Sequence, residues 1–532
     1  MAHRKSRRRE SPKPGRGSPG GRSTAVPRAC PEVEAAKALW ARRKFDEALA
    51  QFCRAVDRHP NSDIVLIDAA RAFGLRYDFA RAEELIGRML RLQGSRPQIQ
   101  CLCGETYRMI GRFRQAAECF ERAVASGPRV PRARVELAEM YERLHELDCA
   151  VQQARGALAC DRRFARAALV VARVHRRRRE TEKAEAVLRD QLKIPPPVAE
   201  THAALWGELG LVFDQAGQFD QAYEAAVAGK RIWQASEEEA LRQSQIIRRQ
   251  SERMLAAITA EHFERWREGL KDVEPLSVAL LTGHPRSGTT LVEQALDSHP
   301  GLVSSDERPV FADEILPALG AGFDPDEHAM PAMLDGAPDE RVIHERGRYI
   351  DIMEALLGEP IGRRVHLDKN PELTLLVPAV LRVFPELKTV VAVRDPRDVV
   401  VSCFMRSLPL NSVTVNYLTL ERTAEKYALM MGGWLKLRAL VGAPWIEVRY
   451  EDTIADMEFQ VRRLLDFFDL PWDEAVLRFH EHARGKHVRS PSYENVATPI
   501  YRTAVGRWRN YAKYLEPTLE KLEPFITAFG YT

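Results

Sequence analysis

Through the first half of the chain, short segments of one apolar–polar pattern recur. FDEALAQFCRAVDRHP (45–60), FARAEELIGRMLRLQ (79–93), FRQAAECFERAVASGP (113–128), LDCAVQQARGALACD (147–161) and TEKAEAVLRDQL (181–192) all predict helices. Their first small residues are Ala48, Ala82, Ala116, Ala150 and Ala184, spaced 34 residues apart each time. A sixth copy, FDQAYEAAVAGK (219–230), places Ala222 38 residues further on, and Pro195–Val198 predicts the loop that absorbs the extra four. Residues 229–267 are polar, helix-prone and poor in breakers, which predicts a helical cap. At Pro275 the pattern changes. LSVALLT (276–282) is a continuous apolar run, as expected of a strand covered on both faces of a parallel sheet. Further strands are predicted before Lys369, at 389–393 and at 444–450, with helices after several of them.

The 34-residue period resembles the tetratricopeptide repeat. In the third copy Cys103-Gly104, Tyr107 and Gly111 precede Ala116, and Pro128 follows; in the sixth, Trp206, Gly210, Phe213 and Gly217 precede Ala222. The small Ala lets one helix approach its partner, Gly permits the tight turn, and Pro ends the pair. The resemblance implies an α/α-solenoid of about six repeats over 31–230, with a helical cap or linker over 231–275. Such a groove binds a peptide or protein partner, supports a homo-oligomer, or merely supports the domain behind it.

At 532 residues the chain has room for two or three domains. It is 45% hydrophobic and 29% charged, as soluble globular chains are. No apolar run approaches the ~20 residues of a membrane span, and no secretory signal is visible. A cytoplasmic protein with reduced thiols is expected. Cys101-x-Cys103 has no second Cys or His pair at zinc spacing, so no metal is expected. The net charge of +4 conceals a tail, residues 1–30, with nine Lys/Arg and one acid. Rich in Pro, Gly and Ser, it is expected to be disordered, either a plain solvated tail or one that touches nucleic acid, acidic lipid or an acidic partner; nucleic acid is not an expected partner of the protein.

GHPRSGTT (283–290) carries both glycines and the final Thr of the nucleotide loop G-x-x-x-x-G-K-S/T, but Thr289 replaces the lysine. A strand before it and a helix after it make the match credible: loop amides and a helix N-terminus cradle an anion. Without the lysine, Mg-ATP hydrolysis is not expected, and Arg286 supplies a cation instead. About a hundred residues later, Arg394 ends a strand and Ser402 lies two turns along the next helix. Together they can grip a second phosphate; alone, Arg394 and Asp395 could equally be a helix-start pair. Near the C-terminus, PIYRTAVGRWRNY (499–511) concentrates Arg502, Gly506, Arg507 and Trp508.

Taken together these pieces resemble the sulfotransferase family, with an α/β three-layer fold around a central parallel sheet over 276–532. The family's donor loop P-K/R-x-G-T-T/S matches Pro285-Arg286-Ser287-Gly288-Thr289-Thr290. The resemblance implies 3′-phosphoadenosine-5′-phosphosulfate (PAPS) as donor, without metal. It implies donor-binding roles for Arg286, Ser287, Gly288, Thr289, Thr290, Arg394, Ser402, Tyr450, Arg502, Gly506, Arg507 and Trp508. Tyr501 departs from one of the basic positions before the G-x-W motif. Within the family the likeness is to tyrosylprotein sulfotransferases, through LDSHPGLVSSDE (296–307), HLDKNPEL (366–373) and Ser492. It implies Glu307, Lys369, Arg286 and Ser492 as catalytic residues.

In that chemistry a carboxylate takes the acceptor's proton; Glu307 is the candidate base and Asp306 the alternative, while Glu307 could instead only pair with Arg308 or Arg286. Arg286 and Lys369 would stabilise charge on the leaving nucleotide. His366 reads as a packed strand residue. The acceptor is a hydroxyl of a peptide tyrosine, a carbohydrate or a small molecule, with residues 308–362 as its expected lid. The alternative is a repeat scaffold whose nucleotide-binding domain is catalytically silent.

Overall fold

The computed structural model describes residues 30–127, 131–194, 196–324, 327–480 and 504–532. The basic tail before Cys30, Pro128, Pro195, Ser492 and Arg502 lie outside the described residues. The chain divides into two compact units, residues 1–69 and 70–532. The first contains α1 (Pro31–Ala41), α2 (Phe45–Arg58) and the start of α3 (Asp63–Leu75). Val33, Ala36, Phe52 and Ala55 are buried there, and Trp40 meets Phe45 edge-on at 5.0 Å.

The second unit continues the series in hairpin pairs: α4 (Phe79–Gln93), α5 (Pro97–Met109), α6 (Phe113–Ser126), α7 (Pro131–Arg143), α8 (Leu147–Cys160), α9 (Ala165–Arg177), α10 (Thr181–Leu192), α11 (Ala199–Gln215) and α12 (Phe219–Gln234). All six repeat alanines, Ala48 to Ala222, are completely buried, so the period marks where helices touch. The turns repeat as well. Left-handed backbone occurs at Arg43, Tyr77, Gly111, His145, Arg179 and Gly217, with the same spacing as the alanines. At each turn the following amide bonds back five residues, as Arg112 N does to Tyr107 O at 2.8 Å and Gln218 N to Phe213 O at 2.9 Å. Glycine fills the strained position in only two of the six. The others accept the ~1 kcal/mol cost of a side chain there, because the closed turn fixes the next helix.

The polar stretch expected as a cap is broken: α12 ends at Gln234, and α13 (Glu238–Ala257) and α14 (Ala260–Gly269) follow. Thr259 interrupts the run because it caps α14, with its hydroxyl and amide both near His262 Nδ1.

Five parallel strands then form one sheet: β1 (Val278–Gly283), β2 (Leu302–Ser304), β3 (Val365–Lys369), β4 (Lys388–Val393) and β5 (Trp445–Arg449), in the order β2-β3-β1-β4-β5. Every residue of β1 is buried, as a central strand covered on both faces must be. Helix α15 (Thr289–Asp297) and the helix Met457–Phe467 pack on it through Val292, Leu296, Val461 and Leu464. The three-residue β2 went unpredicted, since it is too short to show a pattern. All five strands run the same way, so their C-terminal ends share one edge, where parallel sheets place their ligands.

Candidate active site

Each strand delivers a polar residue just beyond its end. β1 leads into the loop 283–288, β2 into Asp306 and Glu307, β3 ends on Lys369, β4 precedes Arg394, and β5 precedes Tyr450. Both loop glycines are dictated by neighbours. A Cβ on Gly283 (φ +129°) would lie 2.3 Å from Ala392 O, and one on Gly288 (φ +95°) 2.5 Å from Tyr450. Arg286 itself sits at φ +75°, a strained conformation held inside the loop. His284 is fully buried with Nδ1 2.8 Å from Pro285 O, and burial lowers its pKa to about 3, so it stays neutral. The cation of this loop is Arg286.

Arg286, Arg394 and Ser402 converge. Arg286 Nε donates to Ser402 Oγ at 3.2 Å, and Arg394 Nη1 donates to Arg286 O at 3.2 Å. The Arg394 guanidinium lies 4.7 Å over the Tyr450 ring and donates its Nη2 to Ala504 O. Its Nε is buried without a hydrogen-bond partner among the described residues. Such a pair of guanidiniums with a hydroxyl between them suits a phosphate. Arg394 is not merely a helix-start pair with Asp395, because Arg397 takes that carboxylate at 2.8 and 2.9 Å.

On the other side lies an acidic group. Lys369 Nζ, wholly buried, donates to Asp306 Oδ1 and Glu307 Oε1 at 2.8 Å each and is 3.3 Å from Glu293 Oε2. Burial opposes its charge, but the three carboxylates outweigh burial and hold its pKa above the ordinary lysine value. The segment carrying Asp306 is braced from below: Ser304 Oγ donates to Glu293 at 2.6 Å, and Ser304 N to Asp297 at 2.7 Å. His299 joins Gly301 N at 3.0 Å and Pro471 O at 2.9 Å. The LDSHP stretch is thus a framework for the acids behind it. Glu307 pairs with Lys369, and its side chain is one-third exposed. His366 is buried beside Tyr349, 5.8 Å between rings.

These groups surround one cavity of about 860 Å³. Of the residues expected at the site, Arg286, Gly288, Thr289, Thr290, Glu307, Arg394, Ser402, Tyr450 and Arg507 line it; Ser287, Lys369, Gly506 and Trp508 do not. Gly506 and Trp508 instead donate backbone amides to Asp398, each at 2.7 Å. Burial raises the Asp398 pKa, against the pull of Arg394. Glu372 and Gln294 line the cavity without having been singled out, as do Arg176, Arg179, Asp214 and Gln215 from the helical pairs. Their sequence context, ordinary repeat helices, carried no signal for this. Among the described residues one group could hold a metal, Cys30, Glu32 and His59, far along the chain from this site, and Arg58 already pairs with its carboxylate.

Residues 279–474 match the sulfotransferase family model, and 33–97 and 104–163 match the tetratricopeptide repeat. An uncharacterised protein of Aquifex aeolicus is 28% identical over 353 residues, covering 64% of this chain and 44% of that protein. A putative protein-tyrosine sulfotransferase of Caenorhabditis briggsae is 26% identical over 269 residues, 47% of this chain and 87% of its own length. The chain therefore spans less than half of the first of these relatives. The sulfotransferase domain of the Synechococcus PCC 7002 olefin synthase aligns with 47% of the chain at 22% identity and a TM-score of 0.35, covering 95% of that domain. No helix among the described residues is long and apolar enough to cross a membrane.

Proposed function

Starting from a chain that carries tetratricopeptide repeats ahead of a sulfotransferase-family domain, we propose that it transfers a sulfuryl group from PAPS to a hydroxyl acceptor. The convergence of Arg286, Arg394 and Ser402 at one end of a cavity that also holds Glu307 carries this reading. Residues 276–532 would form the transfer domain behind the repeats of 31–230 and the linker of 231–275. The loop amides and Arg286 take the 5′-phosphosulfate, while Arg394 and Ser402 take the 3′-phosphate. Tyr450, Gly506, Arg507 and Trp508 build the nucleotide clamp, Trp508 and Gly506 through their backbone.

In the reaction the acceptor oxygen forms a new bond to sulfur as the bond from sulfur to the bridging 5′-phosphate oxygen breaks. Glu307 takes the hydroxyl proton, and the departing charge falls near Arg286. Lys369 serves here by holding Glu307 and Asp306 in place, since three carboxylates already surround it. A peptide tyrosine is the acceptor most in keeping with the Caenorhabditis briggsae relative.

The test is calorimetry with 3′-phosphoadenosine-5′-phosphate in EDTA, beside Mg-ATP. Metal-free binding that Arg394→Ala weakens by about 10- to 100-fold supports the reading. A preference for Mg-ATP would sink it.

A further inference from the structure

The inner edge of the last helical pair is bonded to the segment that carries the donor clamp. Asp214, near the end of α11, accepts from Arg507 Nε at 3.0 Å and from Tyr511 OH at 2.5 Å. One carboxylate so holds two side chains of the short turn Arg507–Tyr511. From the opposite side Asp398 holds the same segment by the amides of Gly506 and Trp508. Asp398 lies one helical turn beyond Arg394, with 3.7 Å between their charged groups. The clamp is therefore strung between two carboxylates, one from the sheet domain and one from the helical pairs. Arg507 and Asp214 line the cavity together with Arg394.

The helical pair that carries Asp214 is tied to the sheet domain at several points. Ser407 fills the notch left by Gly207 in α11, where an added Cβ would come within 2.3 Å of the serine Cβ. Lys230 Nζ of α12 donates to Arg406 O at 2.6 Å, and Tyr223 stacks on Tyr514 with ring centres 3.7 Å apart. Asp220 accepts from Tyr514 OH at 2.9 Å and pairs with Lys513 at 2.7 Å. None of these contacts touches the clamp turn. Phe219 of α12 does meet the Tyr511 ring edge-on at 5.7 Å, and from this pair Asp214 supplies the carboxylate that reaches Arg507.

We propose that Asp214 is a positioning residue for the donor, which makes the last helical pair a built-in part of the donor site instead of a separable docking module. The inference rests on the PAPS reading above. An arginine held by a carboxylate on a helix tied in this way meets its ligand already oriented, so binding loses less to ordering. In Asp214→Asn the charge that aligns the guanidinium is gone while the shape is kept.

The experiment is calorimetry of 3′-phosphoadenosine-5′-phosphate on the full chain, with melting temperatures measured alongside. Three proteins are compared: wild type, Asp214→Asn and Asp220→Asn. Asp214→Asn is expected to weaken binding by about 10- to 100-fold, the worth of a hydrogen bond to a charged group. Asp220→Asn loosens the same interface away from the clamp and is expected to leave the affinity unchanged. Equal affinity of Asp214→Asn and wild type overturns the proposal, and so does an equal loss in both variants, which would mean general loosening. If Asp214→Asn does not fold, Tyr511→Phe removes one of the two bonds and keeps the ring; unchanged affinity there overturns the proposal too. Failure of the wild type to bind the nucleotide at all overturns the donor reading itself, a result distinct from these.

Discussion

Between neighbouring helical pairs, Arg166 of α9 reaches Glu136 at 2.8 Å and Glu139 at 2.6 Å on α7, Arg177 reaches Glu142 at 2.7 Å, and Arg176 reaches Glu208 on α11 at 2.5 Å. At the sheet edge, Lys369 faces Glu293, Asp306 and Glu307, while Arg286 and Arg394 meet around Ser402. Both regions place charge in partly or wholly buried positions. In the helical pairs these charges find their opposites one repeat along, so the account closes locally and the pattern can be extended. At the sheet edge carboxylates gather on one side and guanidiniums on the other, with a cavity between. A ladder of matched pairs suits stability; a separation of charge suits a polar ligand and a reaction that moves charge.

The comparison breaks most visibly at Glu307. Glu307→Gln is expected to lower kcat by about 10²- to 10⁴-fold with nucleotide affinity nearly unchanged, measured by turnover of labelled donor on any accepted hydroxyl. A larger loss in Asp306→Asn would transfer the role to that carboxylate. Next in size is Lys369→Met, which leaves three carboxylates beside an apolar side chain. It is expected to cost about 3–5 kcal/mol in denaturant unfolding. Arg162→Met among the helical pairs, whose partner Asp190 is exposed as well, should cost about 1 kcal/mol or less. Equal costs would mean that the two regions do not differ as described.

Lys230 offers a pH test at the seam. Burial lowers its pKa from 10.5 to about 7. The unfolded chain then binds the extra proton between those values, so stability should rise with pH across that window. The penalty is fully present below pH 7. The slope is at most about 1.4 kcal/mol per pH unit, and Lys230→Met should flatten it when unfolding midpoints are compared at pH 7.5 and 9.5. The smallest effects belong to the repeat turns. Gly111→Ala should destabilise, and His145→Gly stabilise, each by about 1 kcal/mol, and neither should alter nucleotide affinity.

Local signals and long-range ones separate cleanly here. Ala48 to Ala222 were visible because one contact is repeated six times at fixed spacing. The loop 283–290 was visible because its two glycines and final Thr stand at fixed spacing between a strand and a helix; the neighbours that crowd those glycines, Ala392 O and the Tyr450 ring, come from far along the chain. Arg394 and Ser402 were visible because one helix joins them. Glu372 gave no signal, being a single acid beside a Pro. Asp214 gave none either, because its partners Arg507 and Tyr511 are almost three hundred residues away.

The sequence by itself determined the period of the helical pairs, the class of the sheet domain, the loop 283–290 and nine of the residues that line the cavity. These follow from short-range rules: side-chain spacing, the space a backbone leaves, and the reach of one helix. Tertiary structure alone decided that Lys369 is buried among three carboxylates while Glu307 faces the cavity. It also decided that Gly506 and Trp508 donate their backbone amides to Asp398, and that α11 and α12 line the cavity. Burial and charge depend on what folds over a residue from elsewhere in the chain, and no local pattern encodes that.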